Sequence, residues 1–384
     1  MVVVAGALAQ RPGIGGHAWV FLNWLLGLRA AGFDVLFLDR TEPGMFDDPA
    51  CPPERSQQWQ WLSQVMSDVG LDGDVAMLHD RGRVCVGLSR VEVLERARRA
   101  MVLFNFMGYL DDPEILAVVG RRVFVDIDPG FSQLWHALGL HDSFAGHDVV
   151  ATVGLGLGQP GCTIPVDRLE HVTTLPPVAL DQWPVLPLPS LDGPARVTSV
   201  CTWRGPFGPI THDGVHYGLR VHELRRFATL PRLVRNAALE LALDIDPADE
   251  SDTALLRANG WRLADPRAVA GHPADYRRYL QGSSIELMVA KGMYVRSRGG
   301  WFSDRSACYL ASGRPVVAQD TGFGDHLPTG EGLLRFDTPT DAADALAEVI
   351  GNRRRHSKAA RELAADCLDA NKVLPALLSR LDVI

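Results

Sequence analysis

The sequence predicts an α/β protein made of two doubly wound domains. Apolar runs typical of strands alternate with helical patterns along both halves of the chain, as in βαβ units around a parallel sheet. Residues 176–194 hold six prolines and interrupt this alternation near mid-chain. The chain has 384 residues, more than one hydrophobic core usually supports. We therefore expect one domain on each side of the proline-rich stretch.

The first half of the chain carries the first series of predicted strands. VVVAGAL leads through a glycine-rich loop into a helix that starts at about His17. The further predicted strands are DVLFLD, DVAMLH, MVLFNF, RRVFVDID and HDVVATVG, with helices within residues 54–70 and in RVEVLERARRA. Residues 1–180 are expected to form the N-terminal domain.

The alternation resumes after a linker predicted at residues 181–195. The predicted elements are the strand RVTSVCTW, a helix at 217–230, the strand LELALDI, the helix PADYRRYLQGS, the strand SIELMVA, the helix RSACYLAS, the strands PVVAQD and GLLRF, and the helix DAADALAEVI. Residues 196–352 would form the C-terminal domain, and 353–384 a helical segment packed across both domains. Ligands of open α/β sheets bind at the carboxyl ends of the strands, so we expect the site in a cleft between the domains.

Composition excludes several classes of protein. A net charge of −8 disfavours nonspecific nucleic-acid binding. No segment has the 18 or more consecutive apolar residues of a membrane span, and MVVVAGALAQ lacks the basic region of a signal peptide. The six cysteines form no C-x-x-C pair, which argues against a zinc site and a disulfide framework. We predict a cytoplasmic protein without a bound metal.

The loop after the first strand, ALAQRPGIGGHAW, has the composition of an anion site. Gly15 and Gly16 allow the backbone to approach a ligand closely, and the helix that follows offers unpaired N–H groups. Ala18 occupies the last glycine position of G-x-G-x-x-G, so the dinucleotide fingerprint is not met. His17 is placed to accept a proton from an acceptor hydroxyl, while a capping or packing histidine is the alternative.

A second glycine loop does satisfy G-x-G-x-x-G, with Gly156, Gly158 and Gly161 after a predicted strand. The fingerprint requires a helix directly after the loop to receive the phosphates. Pro160 and Pro165 prevent such a helix. We therefore predict a structural or substrate-facing loop and no nucleotide site here.

Charged residues follow several predicted strands at the cleft side. Asp128 ends VFVDIDPGF at a turn, where it could act as a base, bind sugar hydroxyls or cap the turn. Arg204 and Lys291 follow two strands of the second domain, and Arg296 and Arg305 add positive charge. Cations at such positions can bind a diphosphate, and pairing with carboxylates is the alternative for each.

The stretch SRGGWFSDRSACYLASGRPVVAQDTGF, residues 297–323, combines several local signals. Ser303 and Asp304 are good N-cap residues for the helix RSACYLAS, and Gly313 is suited to its C-terminal cap. The preceding glycine pair, 299–300, could turn backbone N–H groups toward an anion. The strand PVVAQD then delivers a polar loop to the cleft, made of Asp320, Thr321, Gly322 and Phe323.

These segments resemble a known family. The succession DYRRYLQGSSIELMVAK, ACYLASGRPVVAQDTGF, PTGEGLLRF and DAADALAEV resembles the donor-binding domain of GT-B glycosyltransferases over roughly residues 195–352. The GGHAW loop resembles the glycine-rich loop of the acceptor domain in the same enzymes. The resemblance implies two Rossmann-like domains, with an N-terminal acceptor domain and a C-terminal donor domain.

The resemblance also implies roles for the residues singled out above. Residues Ser303 to Arg305 and the turn before them would hold the donor diphosphate, with Arg204 and Lys291 as its cations. The loop from Asp320 to Phe323 would contact the sugar and phosphates. His17 resembles the base of inverting plant-type and antibiotic-type members.

The match departs from the family pattern at two positions. The glycosyltransferase 4-like group has two glutamates eight positions apart, and aligned on ASGRPVV they fall on Gly300 and Cys308. Neither residue can bind ribose or a sugar as a carboxylate does, and Asp304 is the nearest substitute. The His-x-Gly signature of the inverting groups is absent as well.

The leading hypothesis is a metal-independent glycosyltransferase that moves a sugar from a nucleoside diphosphate sugar to a hydroxyl or amine. It needs no cofactor, its partners are a nucleotide-sugar donor and a small-molecule or glycan acceptor, and a homodimer is left open. The alternatives are a sugar-nucleotide epimerase of the same fold and a catalytically inactive GT-B-like binding protein. A nicotinamide-dependent dehydrogenase has less support, because neither glycine loop combines the fingerprint with its helix.

Overall fold

A computed structural model describes residues 1–166, 170–188 and 193–384. Part of the predicted linker, residues 189–192, lies outside the described residues. The strands of the described chain are β1 (Val2–Gly6), β2 (Val35–Thr41), β3 (Val75–His79), β4 (Val84–Gly87), β5 (Val102–Phe106), β6 (Arg121–Asp126), β7 (Val149–Thr152), β8 (His171–Thr173), β9 (Ala195–Thr202), β10 (Ile210–His212), β11 (Val215–Tyr217), β12 (Ala237–Asp244), β13 (Arg262–Ala264), β14 (Ile285–Met288), β15 (Val316–Gln319) and β16 (Leu333–Phe336).

The α-helices connect these strands. They are α1 (Gly15–Ala30), α2 (Gln57–Ser67), α3 (Arg90–Arg99), α4 (Pro113–Val118), α5 (Phe131–Ala137), α6 (Arg220–Arg226), α7 (Glu250–Ala258), α8 (Pro266–Ala270), α9 (Pro273–Gln281), α10 (Gly292–Ser297), α11 (Asp304–Ala311), α12 (Pro339–Gly351), α13 (Arg353–Leu363) and α14 (Ala370–Arg380).

Two sheets form the layers around which the helices pack. The first has the order β4-β3-β2-β1-β5-β6-β7-β8 and is parallel except for the pairing of β4 with β3. The second has the order β13-β12-β9-β14-β15-β16 and is parallel throughout. The direction of strand succession reverses between β1 and β5 in one sheet and between β9 and β14 in the other. Such switch points open a crevice at the carboxyl ends of the strands.

The sequence pattern located the core strands correctly because these are buried on both faces. All residues of β1, β5 and β15 are buried, which explains their uninterrupted apolar runs. One helix prediction was wrong at its start. Residues 215–217 pair with 210–212 in a two-stranded hairpin, so α6 begins at Arg220 rather than at 217.

The stretch predicted as an extended linker makes specific contacts in its described part. Val178 pairs with the C-terminal segment through hydrogen bonds to Leu368 O and from Ala370 N. Trp183 is fully buried and packs against Trp19 with ring centroids 4.7 Å apart. The C-terminal segment itself divides, since α13 packs on α11 and α14 packs on α1.

Candidate active site between the domains

The clearest meeting point of the two domains is an ion pair between two residues predicted from the sequence. Lys291 follows β14, Asp128 follows β6, and the Lys291 Nζ lies 3.0 and 2.8 Å from the two oxygens of the Asp128 carboxylate. The Lys291 ammonium also lies 5.2 Å from the ring centroids of Phe131 and Tyr294. Lys291 and Asp128 are therefore brought together, each as the other's partner.

Replacing Lys291 with methionine should destabilise the protein by about 1–3 kcal/mol. The Asp128 side chain is only 22% exposed, and it would be left without its cation. Urea unfolding measures the change. The control is Lys358→Met, because Lys358 is 78% exposed and pairs with Glu362 on the surface of its helix. That control should stay within about 0.5 kcal/mol of the parent protein, and equal losses in the two variants would contradict the assignment.

Arg220 is the functional candidate that sequence reasoning missed. It begins α6 and is 7% exposed. Among the residues that the structure describes, its Nε and Nη1 atoms have no hydrogen-bond partner. Burial lowers the pKa of Arg220, while the neighbouring Cys201 raises it and the Arg305 charge lowers it further. The hairpin β10-β11 was not predicted, so Arg220 was assigned to a helix interior.

Arg305 lies beside Arg220 and is more fully engaged. Its Nε donates to the buried Glu286 carboxylate at 2.5 Å and its Nη1 donates to Val200 O at 2.8 Å. Its Nη2 atom is buried without a hydrogen-bond partner in the described part of the chain. Buried polar atoms are nearly always hydrogen-bonded in folded proteins. Open donors on two adjacent guanidinium groups therefore mark a place that suits an anion.

Arg204, which was predicted as a cation for the diphosphate, is bound to a carboxylate in this structure. Its Nε and Nη2 bind the Asp249 carboxylate at 3.0 and 2.5 Å, and half of its side chain is exposed. Asp249 is the N-cap residue of α7, next to a second ion pair between Arg225 and Asp252. Arg204 thus belongs to a surface ion network and does not join the buried cations, which is the alternative that the sequence left open.

The predicted diphosphate-binding segment at the N-terminus of α11 is closed off in this structure. It lies where the 154–163 loop contacts residues 297–301 of the other domain, and we call this contact the seam. Ser303 is the N-cap residue as predicted, but it is 2% exposed and its side chain makes no capping hydrogen bond. Asp304 lines a cavity of about 20 Å³ that it shares with residues of α1 and the loop after β6. Burial raises the pKa of Asp304. This cavity has room for about one water molecule.

The seam is made by the glycine loop that carries the G-x-G-x-x-G pattern. Gly156 N donates to Gly299 O and Thr163 N donates to Ser297 O, both at 2.9 Å. Gly154 pairs with Trp301 as an antiparallel bridge. No helix lies between β7 and β8 in the described residues of this region. The loop therefore contacts the other domain through its backbone.

Backbone geometry explains the glycine at position 300, where the resemblance placed a glutamate. Gly300 has φ +72°, and a Cβ on it would lie 2.6 Å from Gly156 N. Its own N–H donates to Thr321 O at 2.9 Å, so it does not face an anion as predicted. Cys308, at the second glutamate position, is 2% exposed and accepts a hydrogen bond from Asn23 Nδ2 at 3.7 Å. Both positions are used for contacts within the protein.

The loop predicted to contact the sugar is also internal. Asp320 accepts a hydrogen bond from Gly322 N at 2.9 Å, and Thr321 donates through its hydroxyl to Trp301 O. Phe323 is fully buried and packs on Phe302 with ring centroids 5.5 Å apart. This loop therefore supports the seam through its contacts with Trp301 and Phe302. The roles predicted for it, and for Ser303 and Asp304, require the seam to open.

Gly15 and Gly16 have a structural explanation that sequence reasoning missed. A Cβ on Gly15 would lie 2.4 Å from His272 O, and one on Gly16 would lie 2.7 Å from the Tyr276 ring. Trp19 on the next turn donates to Pro273 O at 2.9 Å. The two glycines therefore allow α1 to approach the start of α9 closely. The predicted contact with a diphosphate is not needed to account for them.

His17 lies in the first turn of α1 and is partly buried. Its Nε2 donates to Ala7 O at 3.1 Å, which leaves Nδ1 as the nitrogen with a free lone pair. Burial, then the Arg11 charge, lowers the pKa of His17 to about 4, against the opposing effect of the Ala7 carbonyl. The imidazole is therefore neutral throughout the physiological range, and the lowered pKa also makes it a weaker base than a free histidine.

The lowered pKa of His17 predicts that the free energy of unfolding decreases at acid pH. Because its folded pKa of about 4 lies below the unfolded value of about 6.5, the unfolded state binds the proton first. Above pH 6.5, His17 is neutral in both states and its protonation does not affect stability. As the pH falls from 6.5 toward 4, protonation of His17 in the unfolded state lowers the free energy of unfolding. His17→Gln should therefore lose less stability than the parent between pH 7 and pH 4.5, as followed by thermal melts. His141→Gln, at an exposed position, is the control and should follow the parent.

The architecture is shared with solved structures over the whole chain. HepE from Anabaena, in complex with UDP and glucose, has 12% identity and a TM-score of 0.58, covering 100% of this chain and 99% of that chain. Sucrose-phosphate synthase from Thermosynechococcus elongatus has 13% identity and a TM-score of 0.57, covering 99% and 98%. A glycosyltransferase from Rickettsia africae has 12% identity and a TM-score of 0.53, covering 99% and 97%.

This chain has the GT-B fold. The fold prediction made from the sequence is thereby confirmed. No protein-family model matches the chain, and no curated protein sequence matches it either.

In the described residues of this GT-B protein, no cluster of three or more histidine, cysteine or acidic side chains could hold a metal ion. None of its described helices is long and apolar enough to cross a membrane.

Proposed function

We propose that this GT-B protein transfers a sugar from a nucleoside diphosphate sugar to an acceptor hydroxyl or amine, without a metal ion. The observation that carries the proposal is Arg220, a buried cation with open donors beside Arg305 and the Lys291–Asp128 pair. A desolvated guanidinium without a carboxylate partner is costly to keep in a protein interior. An anionic ligand with several oxygens would satisfy it.

In the proposed mechanism, these cations stabilise the negative charge that develops on the leaving group. As the bond between the anomeric carbon and the diphosphate oxygen breaks, negative charge grows on the diphosphate. Fixed cations in a site shielded from water stabilise such charge strongly, and they do the work that a metal ion does elsewhere. Arg220 and Arg305 supply that field, and Lys291 joins them once it exchanges Asp128 for phosphate oxygens.

The acceptor proton needs a base on the N-terminal domain. In this proposal His17 takes it at Nδ1, since Nε2 is committed to Ala7 O. Asp128 is the second choice, because it becomes a free carboxylate when Lys291 moves to the diphosphate. The seam formed by the 154–163 loop and residues 297–301 must open to admit the donor to α11.

A panel of nucleoside diphosphates tests the proposal directly. UDP, GDP, dTDP and ADP are added at millimolar concentration, and the melting temperature is followed by calorimetry. A ligand that binds only the folded state at 100 times its Kd stabilises by about 2.7 kcal/mol. We expect at least one of the four to raise the melting temperature. If all four leave it unchanged, the donor assignment is wrong.

A second candidate function is nucleotide-sugar binding without turnover, favoured by Gly300 and Cys308 at the two glutamate positions. The two glutamates that would hold the donor are absent, and the residues at their positions make contacts within the protein. Donor hydrolysis separates the two functions. A transferase releases nucleoside diphosphate from its donor slowly even without acceptor, whereas a binding protein releases none. An epimerase would convert the sugar while it stays on the nucleotide, which product analysis detects.

A further inference from the structure

A buried carboxylate without a role in the proposed mechanism lies at the end of β6. Asp126 is fully buried, two residues before Asp128. Its Oδ2 accepts hydrogen bonds from Gln133 Nε2 at 2.7 Å and from the Thr152 hydroxyl at 2.9 Å. Its Oδ1 accepts a hydrogen bond from Asp128 N at 3.3 Å. Donors from α5, from β7 and from the turn after β6 therefore converge on one carboxylate.

These hydrogen bonds fix the turn between β6 and α5, residues 126–130. Asp126 holds the backbone of Asp128 directly. Gln133, whose amide group donates to Asp126, accepts a hydrogen bond from Gly130 N at 2.8 Å through its Oε1. The backbone on both sides of Pro129 is thus held by one side chain and its hydrogen-bond partner. The conformation of the whole turn therefore depends on Asp126.

The same turn contacts the C-terminal domain at two adjacent residues. The Asp128 carboxylate binds the Lys291 ammonium at 3.0 and 2.8 Å. The preceding residue, Ile127, accepts a hydrogen bond on its carbonyl oxygen from Trp301 Nε1 at 3.3 Å. Asp126 does not itself face the other domain, but it determines where the Asp128 carboxylate lies relative to Lys291.

A proton on Asp126 would disturb this arrangement. Burial raises the pKa of Asp126 to about 6, although the hydrogen bonds from Gln133 and Thr152 lower it, and the neighbouring Asp128 charge raises it. Asp128 is the charged group of the turn that faces it, while α5 and β7 contribute the uncharged Gln133 and Thr152. A neutral carboxyl group carries an O–H that needs an acceptor, but all three partners of Asp126 are donors. The bond from Asp128 N is the longest of the three and should be lost first.

We propose that Asp126 is the positioning residue of the candidate site: it holds Asp128 against Lys291, and this ion pair loosens when Asp126 gains a proton. The consequence for ligand binding rests on the function proposed above, because Lys291 must leave Asp128 before it can bind the donor diphosphate. Ionised Asp126 keeps Lys291 on Asp128, whereas neutral Asp126 makes Lys291 available. The structure thereby carries a control of donor binding that responds to weakly acidic pH.

The small number of lysines allows the ion pair to be observed directly. Lys291, Lys358 and Lys372 are the only lysines of the chain, so isotope-labelled lysine gives three side-chain ammonium signals by NMR. The Lys291 side chain is 13% exposed and that of Lys358 is 78% exposed. Burial and hydrogen bonding protect protons from exchange with water. We expect the ammonium protons of Lys291 to exchange at least about 10-fold more slowly than those of Lys358.

Asp126→Asn tests the positioning role. Asparagine keeps the size of the side chain but turns an NH₂ group toward one of the three donors, so the turn should loosen. We expect proton exchange at Lys291 to become about 5- to 10-fold faster, because its charge-assisted hydrogen bonds weaken, and exchange at Lys358 to stay unchanged. An unchanged Lys291 signal would show that Asp128 is held without Asp126 and would overturn the proposal.

Asp39→Asn is the matched control for general loss of stability. Asp39 is also buried, at the end of β2 in the same sheet, and it accepts hydrogen bonds from Ala9 N at 2.5 Å and from Arg40 N at 2.7 Å. It thus holds the loop after β1 and not the turn that carries Asp128. Exchange at Lys291 should match the parent protein in this variant. An equal acceleration in Asp39→Asn and Asp126→Asn would reduce Asp126 to a purely structural role.

The pH dependence of the parent protein tests the effect of the proton without any variant. The ratio of the exchange rates at Lys291 and Lys358 removes the effect of pH that is common to all amines. Between pH 7.5 and pH 5 we expect this ratio to rise about 5- to 10-fold in the parent. In Asp126→Asn it should stay constant, since position 126 then has no carboxyl group. A constant ratio in the parent, or the same change in both proteins, contradicts the proposal.

Nucleotide binding separates this proposal from the proposed function. UDP, GDP, dTDP and ADP are titrated by calorimetry into the parent and into Asp126→Asn. The best-bound nucleotide should bind about 3- to 10-fold more tightly to Asp126→Asn, because Lys291 is released from Asp128. If none of the four binds either protein, the proposed function fails, while the exchange rates at Lys291 still decide the role of Asp126. Equal or weaker nucleotide binding together with faster exchange at Lys291 would refute the control of donor binding.

Discussion

Replacing Arg220 with methionine is expected to stabilise the protein and, at the same time, to weaken nucleoside diphosphate binding. The buried guanidinium has two nitrogen atoms without hydrogen-bond partners among the described residues, so an apolar side chain of similar length should raise the free energy of unfolding by about 1–3 kcal/mol. Losing charge-assisted hydrogen bonds to a phosphate should weaken binding roughly 10- to 150-fold. Urea unfolding and titration calorimetry with the best-bound nucleotide measure the two effects.

Arg225→Met is the matched control on the same helix. Arg225 donates from Nε and Nη2 to Asp252 at 2.9 and 2.8 Å, and Asp252 is nearly buried. Its removal should lower stability and leave nucleotide binding unchanged. The opposite signs of the two stability changes are the decisive outcome. A loss of stability in Arg220→Met would mean that its guanidinium is satisfied within the folded chain, and the anion site would lose its main support.

The second large effect is expected from Gly300→Glu, which places a glutamate where the glycosyltransferase 4-like group has its first one. The residue would have to adopt φ +72°, at about 1–2 kcal/mol for a side chain with a Cβ. Its Cβ would also lie 2.6 Å from Gly156 N, and overpacking of this kind adds about 1–3 kcal/mol. We expect a total loss of about 2–5 kcal/mol, because the seam between the domains must open.

Gly139→Glu separates the two contributions. Gly139 has a similar φ of +65°, but a Cβ on it would meet no atom within 4 Å. This control should show the backbone cost alone. If Gly300→Glu costs no more than Gly139→Glu in urea unfolding, the seam is not packed as described. Limited proteolysis of the 154–163 loop should report the opened seam in Gly300→Glu only.

The fold was predictable from the sequence to a large extent, and the reason is physical. Parallel strands buried on both faces need continuous apolar runs, and runs such as VVVAG and VVAQ have few other interpretations. The short hairpin β10-β11 was not predicted, because three-residue strands carry too little periodicity. That single omission hid Arg220 inside a supposed helix.

The site was less predictable because it depends on contacts between residues that lie far apart in the sequence. Asp128 and Lys291 were each placed at the end of a strand, but their contact with each other depends on how two domains meet. Arg204 has the same local signals as Lys291, and only the structure shows that Asp249 binds it. The contacts that the glycine pattern at 156–161 makes in the seam were not predicted, because they depend on residues of the opposite domain.

The return of α14 to the N-terminal domain has a consequence for how the chain folds during synthesis. Gly27 on α1 faces Ala370 and Leu374 so closely that a Cβ would lie 2.5 Å from the Ala370 Cβ. Domains generally fold as they emerge from the ribosome, with the N-terminal one first. Here one face of α1 stays uncovered until residues 370–380 have been synthesised, so the first domain completes its core after the second. A chain truncated before α14 should expose that face and aggregate, even though every strand of both sheets would be present.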